Sequence, residues 1–124
     1  MAKPGSVIGW LLAESDRDAL LKQFPPKFER TVAHHVTLKS DAEKEPPPPE
    51  VRAAIVGRTD DDAGVEAMVV SIDGTTDRPD GSTYHITWSL GDGRRAGESN
   101  NVLRERGWEE FDHPIPVELH PARF

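Results

Sequence analysis

Apolar positions along this chain fall into short runs, some continuous and some alternating, and their order predicts a mixed domain. Val7 to Leu12 is apolar on both faces and predicts a buried central strand. Ser15-Asp16-Arg17-Asp18 has the form of a capping box with Asp in the place of Glu. It precedes Ala19, Leu20, Leu21 and Phe24 and predicts a short helix stopped by Pro25-Pro26. Arg30 to Lys39 reads as one strand with Val32, Val36 and Leu38 on one face and Ala33, His35, Thr37 and Lys39 on the other. This parity puts His34 on the apolar side as a satisfied, partly buried residue, away from His35 and outside any site.

Arg52 to Arg58 and Val65 to Ile72 flank Asp60-Asp61-Asp62-Ala63-Gly64 and predict an antiparallel pair with a long turn. Thr83 to Leu90 alternates most regularly, with Tyr84, Ile86, Trp88 and Leu90 on one face and Thr83, His85, Thr87 and Ser89 on the other. Gly91-Asp92-Gly93 ends it, Ser99 or Asn100 caps a second short helix through Arg106, and Gly107 suits the position beyond its end. Ile115, Val117 and Leu119 predict one last strand. The resulting order, β, α, β, a β hairpin, β, α, β, predicts an α+β fold with mainly antiparallel sheets.

Composition narrows the picture. With 124 residues, 35% hydrophobic and 30% charged, the chain is expected to form one domain over residues 1–124. Its apolar runs are far shorter than the roughly 20 residues of a membrane-spanning helix. The opening Met-Ala-Lys-Pro-Gly-Ser lacks the apolar stretch of a signal peptide, so a cytoplasmic protein is expected. The absence of cysteine excludes disulfides, thiolate metal sites and a cysteine nucleophile, leaving water, hydroxyl, carboxylate or imidazole. A net charge of -7 argues against a long nucleic-acid duplex as partner, whereas a small nucleotide or an RNA 3′ end needs only a local site.

The candidate chemistry lies in two tetrapeptides, His35-Val36-Thr37-Leu38 and His85-Ile86-Thr87-Trp88. Five histidines and seven threonines would give only about 0.3 such H-x-T spacings by chance, so the repeat points to a site. Strand parity places each imidazole beside its hydroxyl, with Val36 and Ile86 turned inward. A hydroxyl can donate to a phosphate oxygen, and an imidazole with an ordinary pKa near ~6.5 can take or give a proton at neutral pH. Two copies supply a base and an acid without a metal or other cofactor. Lys39, of the same parity, offers a positive charge or simply a solvated strand end.

With these motifs the chain resembles the 2H phosphoesterase superfamily, which is named for two H-φ-[TS]-φ motifs, φ being apolar. The resemblance implies a compact bilobal fold whose antiparallel sheets line a central groove, with two short helices. It also implies metal-independent hydrolysis of cyclic nucleotides or of 2′,3′-cyclic, 2′,5′ or 3′,5′ phosphodiesters at RNA ends. By that resemblance His35 and His85 are catalytic and Thr37 and Thr87 bind the phosphate, while Gly91 to Asn100 is similar to a branch associated with RNA repair. The chain is shorter than typical members, so the elements that embrace the base or RNA strand in that family are expected to be trimmed.

Blander readings accompany these. A module of the same fold that binds a nucleotide or phosphate ligand without turnover is one alternative. A protein-interaction adaptor using the stiff proline segment Glu45 to Glu50 is another. His113 and His120 read as surface residues, Asp60 to Asp62 as a solvated hairpin tip lacking calcium-loop spacing, and Tyr84 as core. Trp10 fits either the core or a base-stacking platform.

Overall fold

The computed structural model describes residues 4–124; Met1 to Lys3, part of the N-terminal stretch read above, lie outside them. The elements are β1 (Ile8–Leu12), α1 (Glu14–Gln23), β2 (Arg30–Thr31), β3 (His35–Lys39), β4 (Ala53–Asp60), β5 (Val65–Ile72), β6 (His85–Leu90), α2 (Glu98–Arg106), β7 (Glu109–Val117) and β8 (Leu119–Arg123). The α+β expectation holds, with the strands joined in one antiparallel sheet rather than several. Its order is β7-β4-β5-β6-β3-β1-β8, and β2 pairs with β6 off this path.

The predicted last strand is two strands, β7 on β4 at one edge and β8 on β1 at the other, separated by Glu118 alone. A one-residue link cannot bridge the edges of a flat seven-strand path, since strands lie about 4.8 Å apart, so the sheet must curl until its edges approach. The Glu118 amide donates to Asp16 Oδ2 (2.7 Å) and its carbonyl accepts from Ala13 N (3.0 Å), which ties the start of α1 to this seam. The expected capping box of Ser15 and Asp18 does not form, because both residues lie inside the helix. The helix starts at Glu14 after Ala13, with no side-chain cap, and ends before the Pro25-Pro26 stop as expected.

The main core joins Trp10, Leu12, Leu20, Val36, Ile55, Met68, Val70, Tyr84, Ile86 and Trp88. Trp10, 2% exposed, donates its indole N–H to Pro49 O (2.9 Å) and meets Tyr84 edge-on, which settles it as core and not as a base platform. Pro48 is buried as well, so the proline segment runs along the molecule and only part of it faces solvent. A smaller cluster of Val65, Leu90 and Val102 seats α2, so Leu90 leaves the group it shares by parity with Trp88.

The hairpin tip is held by side chains rather than simply solvated: Lys27 Nζ bonds both Asp60 (2.8 Å) and Asp62, and Arg94 Nη1 pairs with Asp61 (2.9 Å). Ser89 Oγ donates to the buried carboxylate of Glu66 (2.7 Å), which also accepts the Lys27 amide (3.0 Å), fastening the segment after α1 to the sheet. Among the described residues no helix is long and apolar enough to cross a membrane.

Gly9 lies opposite Thr37 in the β1–β3 ladder, where a Cβ would run into the Val36 carbonyl oxygen and lie 3.0 Å from Leu38 N. Both are backbone atoms of a paired strand and can move only by opening it. Gly9→Ala is therefore expected to lower the unfolding free energy by about 1–3 kcal/mol in urea titrations. Gly97→Ala, at φ −60° with no atom within 4 Å of the added carbon, should change it little.

Candidate functional site

β3 and β6 are neighbours and pair at Val36↔Ile86. In an antiparallel pair this register sets His35 across from Thr87 and Thr37 across from His85, with all four side chains on the face opposite Val36 and Ile86. The two histidines then occupy one diagonal, where side-chain bases lie about 7–8 Å apart, room for a tetrahedral group between them. All four residues line one cavity of about 180 Å3 with Val32, Ser40, Arg78, Ala96, Gly97 and Asn100. On either side of the square, β5 places Val69 beside His85 and Ala67 beside Thr87, and β1 places Leu11 beside His35.

The supports of the two motifs differ. His85 Nδ1 lies 2.8 Å from the Thr83 carbonyl oxygen, which can only accept, so Nδ1 carries the proton and the neutral ring keeps its lone pair on Nε2. Burial lowers the His85 pKa, opposed by the Thr83 bond and reinforced by Arg78. His35 is pushed down from 6.5 to about 4, by burial first and then by His34 and His85. The Phe124 ring, 4.5 Å from the His35 ring, adds to its apolar surroundings. Both imidazoles rest neutral around pH 7 and both gain from a neighbouring anion, because a negative charge favours their protonated forms.

The threonines differ in the same way. Thr37 has no side-chain hydrogen bond among the described residues, leaving its hydroxyl free to donate into the cavity. Thr87, 7% exposed, shares a 2.9 Å bond with Ser99 Oγ and donates to Ala96 O at 3.3 Å. Donation to a ligand requires Thr87 to release the long Ala96 bond while Ser99 keeps its oxygen in place. Ser99, expected as a helix cap, is fully buried and serves this bond instead. Gly97 holds the cap position of α2, and neither Ser99 nor Asn100 caps through its side chain.

His34 departs most from expectation. It is exposed, and its Nδ1 lies 2.9 Å from His35 Nδ1. The predicted strand from Arg30 to Lys39 breaks at Val32 to His34, where Ala33 adopts φ 44°. From Thr31 to Val36 the chain takes five steps while its partner takes three from Ser89 to Ile86, so two residues bulge out. The bulge removes the alternation that would have parted adjacent side chains, and it turns Ala33 into the core and Val32 toward the cavity.

Arg78 is the site residue that sequence reasoning missed. Its side chain is 9% exposed, its Nε donates to Leu38 O (3.0 Å), and its sole carboxylate partner among the described residues is the exposed Asp80 at 3.4 Å. A nearly buried guanidinium with so weak a counter-ion favours an anion in the cavity it lines. Its place in the turn between β5 and β6 carries no periodicity, and the only sequence signal was a lone cation near the second motif. Lys39 instead pairs with Glu45 (2.8 Å) outside the cavity. Exposed His113 and the Glu118-paired His120 lie outside it too. No three His, Asp or Glu side chains among the described residues converge as a metal ion would require.

No protein-family model, curated protein or solved structure matched the chain in our comparisons.

The depressed His35 pKa predicts an acid-side loss of stability. An unfolded histidine takes up a proton near 6.5, while folded His35 resists until about 4, so the stability this contributes is complete above 6.5 and is lost as pH falls toward 4. Urea titrations from about pH 7 to pH 5, above the carboxylate range, should show stability falling, and His35→Gln should flatten the slope.

Proposed function

We propose that the chain is a metal-independent phosphodiesterase that hydrolyses a nucleotide or RNA-end phosphodiester by two-histidine acid–base catalysis, with a bilobal 2H-type ancestry. The observation that carries this reading is the single cavity holding both histidines, both motif threonines and the under-compensated Arg78. The phosphate sits among Arg78, Thr37 and Thr87. His85, with its Nε2 lone pair, takes a proton from the attacking water, and His35 on the opposite corner gives one to the leaving oxygen. Arg78 and the hydroxyls neutralise the charge that builds on the phosphate oxygens.

Size shapes the substrate. A cavity of about 180 Å3 admits a phosphodiester and part of a sugar, not a whole nucleotide. The remainder extends into a neighbouring cavity of about 550 Å3 that shares Ser40 and Arg78 and is lined by Ile8, Leu38 and Pro79, or into one of about 410 Å3 that shares Asn100. A binding-only module draws support from the engaged Thr87 hydroxyl. Calorimetric binding of a diester with no product on chromatography would favour it.

The test is a panel of 2′,3′-cyclic, 3′,5′-cyclic and oligomeric ribonucleotides with EDTA present. Turnover should persist in the chelator, and His35→Ala or His85→Ala should each cost roughly 10²–10⁴-fold in kcat with the circular dichroism spectrum unchanged. Strict metal dependence, or near-normal turnover in either variant, would overturn the scheme. Arg78→Gln should raise KM and lower kcat as well, because the guanidinium both holds the ground-state phosphate and offsets the charge that builds in the transition state.

A further inference from the structure

His34 stands outside the cavity lining yet touches the ring that the proposed mechanism needs as its acid. A 2.9 Å separation between two Nδ1 atoms demands that one donate and the other accept. If His35 donated, its Nε2 would carry a lone pair, as His85 Nε2 already does because of the Thr83 carbonyl, and the site would hold two bases and no acid. The acid therefore requires His34 to donate and His35 to keep its proton on Nε2.

We propose that His34 lends His35 a proton at Nδ1 as His35 gives its own from Nε2 to the leaving oxygen, so that the pair acts as a relay. This rests on the phosphodiesterase reading above. His34 is exposed and open to proton exchange with water, whereas His35 lies against Phe124 and faces His85, and neither has a carboxylate partner among the described residues. A neutral imidazole that gave up its only N–H unaided would become an imidazolate, and simultaneous replacement at Nδ1 avoids this.

The protons balance. Water loses a proton to His85 Nε2 while its oxygen bonds to phosphorus. The bond from phosphorus to the leaving oxygen breaks with its electron pair on oxygen, which takes the Nε2 proton of His35. His35 Nδ1 takes the Nδ1 proton of His34, which began charged and ends neutral with its proton on Nε2. Afterwards His85 returns its proton to solvent, His35 regains one at Nε2 from cavity water, and its Nδ1 proton passes back to His34. His34 is a positioning residue in this scheme, acting on the substrate only through His35.

The bulge at Ala33 makes the contact possible, since an unbroken strand would send the two rings to opposite faces.

His34→Gln tests the relay, because a glutamine amide can still donate to His35 Nδ1 but cannot pass on a proton. Turnover is measured on a ribonucleotide diester with an alkoxide leaving group and on a nucleoside p-nitrophenyl phosphate, whose leaving group departs unprotonated. A loss of roughly 10²-fold in kcat on the first, with less than about 3-fold on the second, is expected. Equal losses on both, or none on either, would overturn the relay.

A second measurement needs no turnover. Nitrogen-15 NMR of the wild-type imidazoles at neutral pH should show His35 protonated at Nε2 with Nδ1 accepting, and a His35 protonated at Nδ1 overturns the proposal. A wild type that cleaves neither ester would defeat the phosphodiesterase reading, while the tautomer result is read independently.

Discussion

A period-two strand can present a histidine and a threonine together, but it takes the Val36↔Ile86 register to make two such pairs into one site. A slip of one residue would turn one pair into the core and bring Val36 or Ile86 outward, a change the buried cluster around Trp88 and Met68 resists. Apolar packing on one face of the sheet thus sets the geometry of the candidate site on the other. Gly9 adds to this by letting β1 lie close against β3 beside Thr37, and α2 adds to it through Ser99.

The site is nearly symmetric in sequence and asymmetric in its supports. One histidine rests on a backbone carbonyl, which fixes its tautomer, and the other on a second histidine, which can exchange protons. One threonine is free and its counterpart is anchored. In the proposed reaction, such differences in surroundings divide acid and base work between two chemically identical groups. Arg78 completes the electrostatics: a buried cation in the same cavity favours a bound anion and holds the His85 proton affinity down, and the anion raises it on arrival.

What the sequence made legible was whatever local alternation encodes. The strand predicted from Thr83 to Leu90, which forms from His85 onward, the hairpin around Asp60 to Asp62, the helix stop at Pro25-Pro26 and the outward parity of His35 and Thr37 all follow from spacing within a few residues. What stayed hidden depends on partners distant in the chain. Asp16 finds its partner in the amide of Glu118, and Ser99 reads as a cap until Thr87 lies beneath it. The contact between His34 and His35 hangs on a left-handed backbone at Ala33, a residue whose side chain gives no hint of it. Arg78 sits in a turn, where hydrophobic periodicity is silent.

The seam at Glu118 sends one continuous segment along both borders of the sheet, so β7 and β8 are the strands that would meet another molecule. An edge strand with free amides is a template for unwanted pairing, and these two are poorly suited to that role. Pro114, Pro116 and Pro121 delete donors, and Glu109, Glu110 and Asp112 add like charge. The final stretch of chain therefore does double duty, curling the sheet that holds the site and guarding it against aggregation through its borders.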